Sequence, residues 1–264
     1  MKLEKPYIKK FSEVAGFSVW IVDGNYIRNN IDFEFTNYGQ HYRFKFIPKN
    51  EFWIDKQINE GEEEFFIDHL LVENRLMAEG VNYSDAIDKA DRIEKRERNQ
   101  SKLMTSIMAK KLSKKEIVEK IHKKLIKKFS KKIKIWIVDG ELVRDVFNQW
   151  YTEGGHDLKY PFIPKNEIWI DDDLSKKEIP FIVLHEVHER RLMSKGWCYD
   201  KDLNNLPYIY EPGKKIKAST KKNPNFFKSA HRSASHIEYF CRHNPKRLNA
   251  ILEREINSLN EDNY

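Results

Sequence analysis

Short apolar runs set into a strongly charged chain predict small sheets alternating with amphipathic helices. Trp136-Ile-Val-Asp-Gly140 reads as a strand ending in an Asp-Gly turn. Val143, Val146, Phe147 and Trp150 then recur at helical spacing. Gly154-Gly155 leads into Tyr160–Ile163, and Pro164-Lys165-Asn166 reverses the chain into Ile168–Ile170, which predicts a hairpin. Ser175 with Glu178 forms a capping-box pattern that opens a helix to about Lys195, where Gly196 stops it. A further helix is predicted from Ala230 to about Cys241. Asn244-Pro245 opens a last one, with Leu248, Ile251, Leu252 and Leu259 on one side.

The same pattern occurs twice. Trp20–Gly24, Phe46–Glu51 and Trp53–Asp55 return as Trp136–Gly140, Phe162–Glu167 and Trp169–Asp171, always at an offset of 116. His69, Glu73, Arg75 and Tyr83 return as His185, Glu189, Arg191 and Tyr199. Such a period is too long for a solenoid and implies two copies of one α+β domain. The expected division is a first copy at 1–109, a basic amphipathic linker helix at 110–132 and a second copy at 133–264. In the second copy Ala230, Ala234, Glu238 and Arg242 match Ala86, Ala90, Glu94 and Arg98, but only after an insert at 200–229. The linker carries a Ser113/Glu116 capping box and an apolar stripe of Ile117, Ile121, Leu125 and Phe129.

Composition narrows the classes. The chain of 264 residues is 40% hydrophobic and 34% charged, enough apolar mass for a core, which excludes global disorder. No apolar run approaches the roughly 18 residues of a membrane span. No apolar segment follows the basic start, so a secretory signal is not expected. Cys198 and Cys241 alone make no disulfide scaffold, and a cytoplasmic location is expected. The net charge of +7 is concentrated in the linker, where Lys114, Lys115, Lys123, Lys124, Lys127 and Lys128 are candidates for a nucleic-acid or acidic-partner face. A solvated linker helix is the plainer reading of the same lysines.

Candidate chemistry lies in Leu184-His-Glu-Val-His-Glu-Arg190. His185 and Glu189 fall on one helix face, a spacing that lets both reach one metal ion, with Glu186 beside its open position as general base. His188 is a competing donor, but Val72 at its place in the first copy favours a packing role. His231, at the start of the later helix, is the chosen third ligand. Glu238 is a further candidate, although its match to Glu94 favours a structural ion pair with Arg242. Leu70 and Ile87 replace Glu186 and His231 in the first copy, as in a copy that abandoned a metal site. Retention of His69 and Glu73 there supports the opposing reading, a structural His–Glu pair in both copies. Carboxylates also suit iron or manganese, which stand as alternatives to zinc.

The run Ile168–Asp171, the Leu174-Ser175 helix start and Phe181–Glu186 resemble the core of zincin-type metallopeptidases, closest to the ImmA/IrrE group. The resemblance covers about 159–242, with a weaker echo in the first copy. It implies a zinc-dependent peptidase acting on a peptide or protein substrate. His185 would be a ligand, Glu186 the base and His231 the third ligand. Glu189 departs from it, because the family has His there. The rival expectation is a non-catalytic binding protein that meets a protein or nucleic acid through the linker and insert.

Overall fold

Each WIVDG run pairs in parallel with the WID run that follows it. In the computed structural model, which describes residues 4–126, 133–199 and 229–261, β2 (Phe17–Val22) and β4 (Glu51–Asp55) align Trp20 with Trp53. Likewise β6 (Lys134–Val138) and β8 (Glu167–Asp171) align Trp136 with Trp169. Of each parallel pair, β4 and β8 are almost wholly buried, as strands covered by helices must be. Antiparallel strands flank each pair: β1 (Tyr7–Val14) and β3 (Tyr38–Gln40) in one sheet, β5 (His122–Leu125) and β7 (Gly154–His156) in the other. The orders β1-β2-β4-β3 and β5-β6-β8-β7 are therefore the same. The fold is α+β.

The outer strands β1 and β5 were not expected, because their sequences, YIKKFSEV and HKKL, are mostly polar. Edge strands tolerate this: one side faces water, and charge deters pairing with another chain. What anchors them is one ring each. Tyr7 lies 5.0 Å from Trp20 and donates to Glu51 at 2.8 Å; His122 stacks 4.2 Å from Trp136 and meets Glu167 at 2.9 Å. The predicted 110–132 helix is corrected accordingly. Helix α5 (Lys114–Ile121) keeps its capping box, Ser113 Oγ donating to Glu116 at 2.6 Å, but ends where β5 begins. Lys114 and Lys115 thus lie on a helix, Lys123 and Lys124 on a strand, and Lys123 is paired with Asp172 at 2.6 Å. No single helical face presents all these lysines. Lys127 and Lys128 lie outside the described residues.

Other local expectations also change. Asp23-Gly24 and Asp139-Gly140 are not turns but helix starts. Asp23 caps α1 (Gly24–Asn30) and Asp139 caps α6 (Gly140–Val146), accepting from Tyr26 N–H and Leu142 N–H. Gly24 is required because a Cβ there would fall 1.8 Å from Asp55 Oδ2. The strand that pairs with β8 is Gly154–His156 rather than Tyr160–Ile163, which forms turns instead. Glu178 makes no side-chain cap; its carboxylate binds Arg242 at 2.8 Å.

By contacts the chain divides into residues 1–121 with 139–152, and residues 122–138 with 153–264. In the first unit α2 (Glu63–Ala78) lies against β3 and β4, and α3 (Tyr83–Arg98) packs on α2, with α4 (Lys102–Ala109) after them. Phe52, Ile54, Phe66 and Leu70 share one core cluster. In the second, α7 (Ile179–Ser194) and α8 (Ala230–His243) take the corresponding places, and α9 (Leu248–Glu261) adds Leu248, Leu252, Ile256 and Leu259 to the core. The 200–229 insert lies outside the described residues except for Ser229, which caps α8. Among the described residues no helix is long and apolar enough to cross a membrane.

Candidate metal centre

Helices α7 and α8 bring three sequence-predicted donors together. His185 and Glu189 are one turn apart on α7, and His231 stands in the first turn of α8. His185 Nε2 is 3.2 Å from His231 Nδ1 and 3.5 Å from Glu189 Oε2, and His231 Nδ1 is 2.9 Å from that same Oε2. Three ligands on a tetrahedral zinc at about 2.0–2.1 Å are separated by roughly 3.3 Å, so these atoms are spaced as one face of such a site. Two His and one Glu is a donor set that catalytic zinc sites use. The same set suits iron or manganese. His231 is the most exposed of the three, its side chain 25% accessible.

Two of the donors, His185 and Glu189, are aimed from behind. Glu238 Oε2 accepts from His185 Nδ1 at 2.8 Å, which turns Nε2 toward the other donors. Arg242 holds the other Glu238 oxygen at 2.8 Å. Burial opposes the charge on Glu238, yet Arg242 and His185 outweigh it and hold the carboxyl down at about 2. Glu238 is therefore an orienting residue rather than a fourth ligand. Behind Glu189 stands a residue outside the candidate donor set. His156, fully buried on β7, has Nε2 at 2.9 Å from Glu189 Oε1. Its Nδ1 accepts from Leu158 N–H at 3.2 Å, so the ring proton is on Nε2 and is donated to Glu189. That leaves Oε2 for a cation. His156→Ala is expected to weaken zinc binding by about 10–100-fold without abolishing it, measured by competition with a chromophoric chelator.

Glu186 is buried next to this group: one of its oxygens lies within 4.8 Å of donor atoms of both His156 and Glu189. Burial and the nearby Glu189 charge push its carboxyl up to about 8. Gly154 makes its room, since a Cβ there would sit 2.9 Å from Ile182 Cγ2 and 3.1 Å from Glu186 Cγ and Oε1. His188 points elsewhere and is no ligand: it binds Glu255 of α9 at 2.8 Å and Ser233 at 3.0 Å.

The first repeat has the same frame without the opening. His69 Nε2 meets Glu73 at 3.3 Å and Nδ1 meets Glu94 at 2.9 Å, as their counterparts do. Gln40, at the place of His156, donates to Glu73. But Tyr38 stands where Gly154 does and packs tilted against Phe66 at 4.5 Å and edge-on against His69 at 5.1 Å. Leu70 and Ile87 replace Glu186 and His231. Burial opposes a charge on His69, but Glu73 and Glu94 outweigh it and raise its pKa to about 9, which makes it a buried ion-paired imidazolium. The structural-pair reading fits the His69–Glu73 contact, while His69, Asp91 and Glu94 also offer donor atoms within 4.8 Å of one another. Comparison with family models, curated proteins and solved structures found no match to this chain.

Proposed function

We propose that the second repeat is a zincin-like metal-dependent hydrolase, acting on a peptide or other amide, and that the first is its plugged structural counterpart. The observation that carries this reading is the convergence of His185 Nε2, Glu189 Oε2 and His231 Nδ1 within 3.5 Å of one another, with Glu186 alongside. His185, Glu189 and His231 would hold the ion. Zinc there would polarise a carbonyl and bring the pKa of a bound water to about 7. Beside a bound cation Glu186 would give up the proton that burial and Glu189 keep on it, and as a carboxylate it would be placed to accept the proton of an attacking water and return it to a leaving amine. The carboxylate ligand lowers the net charge at the centre and so tempers its acidity. Gly154 on β7 leaves the space beside the Glu186 side chain open, where Tyr38 fills the first repeat.

The test is elemental analysis of the full chain, followed by cleavage of a mixed peptide library read by mass spectrometry. About one zinc per chain, with cleavage abolished in Glu186→Gln, supports the reading. No metal uptake when zinc, iron and manganese are each offered overturns it. One metal without cleavage leaves a binding protein, the rival function, as the better description.

A further inference from the structure

Aligning Ala86, Ala90, Glu94 and Arg98 of α3 with Ala230, Ala234, Glu238 and Arg242 of α8 puts Asp91 at the place of Ser235. Both positions are buried, so the first repeat carries a carboxylate where the second needs only a hydroxyl. Asp91 is 4% exposed, and among the described residues neither of its oxygens closes a hydrogen bond. His69 Nδ1 stands 3.6 Å from Oδ1, beyond hydrogen-bond reach. Burial pushes the Asp91 carboxyl up to about 7; His69 and the Trp150 side chain, with its single N–H, offset only part of this.

Two neighbouring atoms share this condition. His69 Nδ1 and Glu94 Oε2 lie 2.9 Å apart, yet neither closes a hydrogen bond among the described residues. Their counterparts do, His185 Nδ1 to Glu238 Oε2 at 2.8 Å. Buried polar atoms without partners call for an ion or a water, and here three residues present such atoms within 4.8 Å of one another. Neighbouring ligands of an octahedral ion at about 2.1 Å lie roughly 3.0 Å apart, which the spacing of Nδ1 and Oε2 matches. The far sides of both are held as ligands require. His69 Nε2 meets Glu73 at 3.3 Å, and Arg98 binds Glu94 Oε1 at 2.8 Å, leaving Oε2.

We propose that the first repeat binds a hard divalent cation, of the Mn²⁺ type, through His69 Nδ1, Asp91 and Glu94 Oε2. The two repeats would then use opposite nitrogens of the same histidine: Nε2 in the second, Nδ1 in the first. Two carboxylates among three donors favour Mn²⁺ over softer ions. Tyr38 against His69 and Ile87 in place of His231 remove the Nε2 centre from this repeat. The ion would tie α2 to α3 inside the unit, a structural part that does not rest on the hydrolase reading. On binding, Nδ1 gives up its proton, while Nε2 keeps its own and donates it to Glu73.

The test uses the full chain freed of metal, with Mn²⁺ as the probe and electron paramagnetic resonance to count the free ion. Glu189→Ala breaks the centre of the second repeat, so any ion it binds is not that one. This variant is expected still to bind about one Mn²⁺ and to melt at a higher temperature when Mn²⁺ is added. Adding Asp91→Ser, the side chain the second repeat carries at that place, is expected to weaken the binding on the order of a hundredfold or more and to abolish the rise. Asp91→Asn, closer in shape, is expected to do the same and serves where the serine variant does not fold. Absence of bound Mn²⁺ from Glu189→Ala overturns the assignment, as does a melting temperature that ignores Mn²⁺, which would mark Asp91 as a buried acid and no ligand. Equal Mn²⁺ affinity with and without Asp91 overturns it too, by placing the ion elsewhere.

Discussion

Glu189→Ala protein is expected to retain no zinc after purification, with affinity lower by on the order of a thousandfold or more. Losing a partner behind a ligand costs about 10–100-fold, and losing a ligand costs more. Glu189 does two jobs at once: Oε2 faces His185 and His231, and Oε1 accepts from His156. Its loss strips one donor from the ion and leaves the buried His156 N–H without its acceptor. Glu73→Ala, the same change in the first repeat, is expected to leave the zinc content unchanged. Equal losses in the two variants would sink the placement of the site. The pH dependence follows from the same carboxylates. Burial opposes a charge on His185, but Glu189 and Glu238 outweigh it and hold its pKa well above the usual value. At neutral pH the metal-free imidazole is thus protonated, and zinc must displace that proton. Zinc affinity should rise with pH through neutrality, and binding should release protons, measurable by calorimetry in buffers of different ionisation enthalpy.

Arg98→Ala is expected to be the most damaging substitution to stability. Its guanidinium, fully buried, meets Glu94 at 2.8 Å and both Glu62 and Asp145 at 2.9 Å. Glu62 keeps Arg144 at 2.8 Å and Glu94 keeps His69 at 2.9 Å when Arg98 is removed, but Asp145 loses its guanidinium. Breaking a buried ion pair from one side costs about 3–5 kcal/mol, because the remaining charge is left in a medium that cannot solvate it. For a unit of this size the melting temperature should fall by on the order of 10 °C. Thermal unfolding followed by circular dichroism checks this, and a shift of only a degree or two would show the network to be dispensable. Zinc binding at the second repeat should persist at low temperature, since Arg242 plays the corresponding part there, at 2.8 Å from both Glu178 and Glu238.

Much of the frame was legible in residue order alone. The offset of 116, the apolar runs around Trp136 and Trp169, and the i, i+4 pairing of His185 with Glu189 are properties of spacing, and spacing fixes which face of a helix or strand a side chain takes. The helix bearing His185 was placed to within a residue of its observed end at Ser194. The choice of His231 came from comparing the repeats, and the two helices do bring it to His185 and Glu189. What misled the reading was local chemistry with more than one outlet. Ser175 and Glu178 have capping-box spacing, but a carboxylate near a buried guanidinium gains more from the ion pair, and Glu178 takes Arg242. Lys123 and Lys124 continue a basic run that looks helical, but the segment pairs with β6 as a strand through His122, Lys124 and Leu125.

Residue order by itself carried the α+β class, the recurrence of runs at an offset of 116, and a His/Glu pattern at 185–189 whose counterpart at 69–73 has Leu70 at the place of Glu186. Only the tertiary structure decided which groups complete the centre. His156 and Gly154 come from β7, about 30 residues before Glu186, and nothing in their immediate neighbours marks them. Their parts depend on β7 lying along α7, where a glycine leaves room for a carboxylate and a histidine N–H reaches the next one. Spacing along one element is a local property that a sequence carries explicitly. Donor convergence across elements is set by packing distances of a few ångströms, and those exist only once the chain has folded.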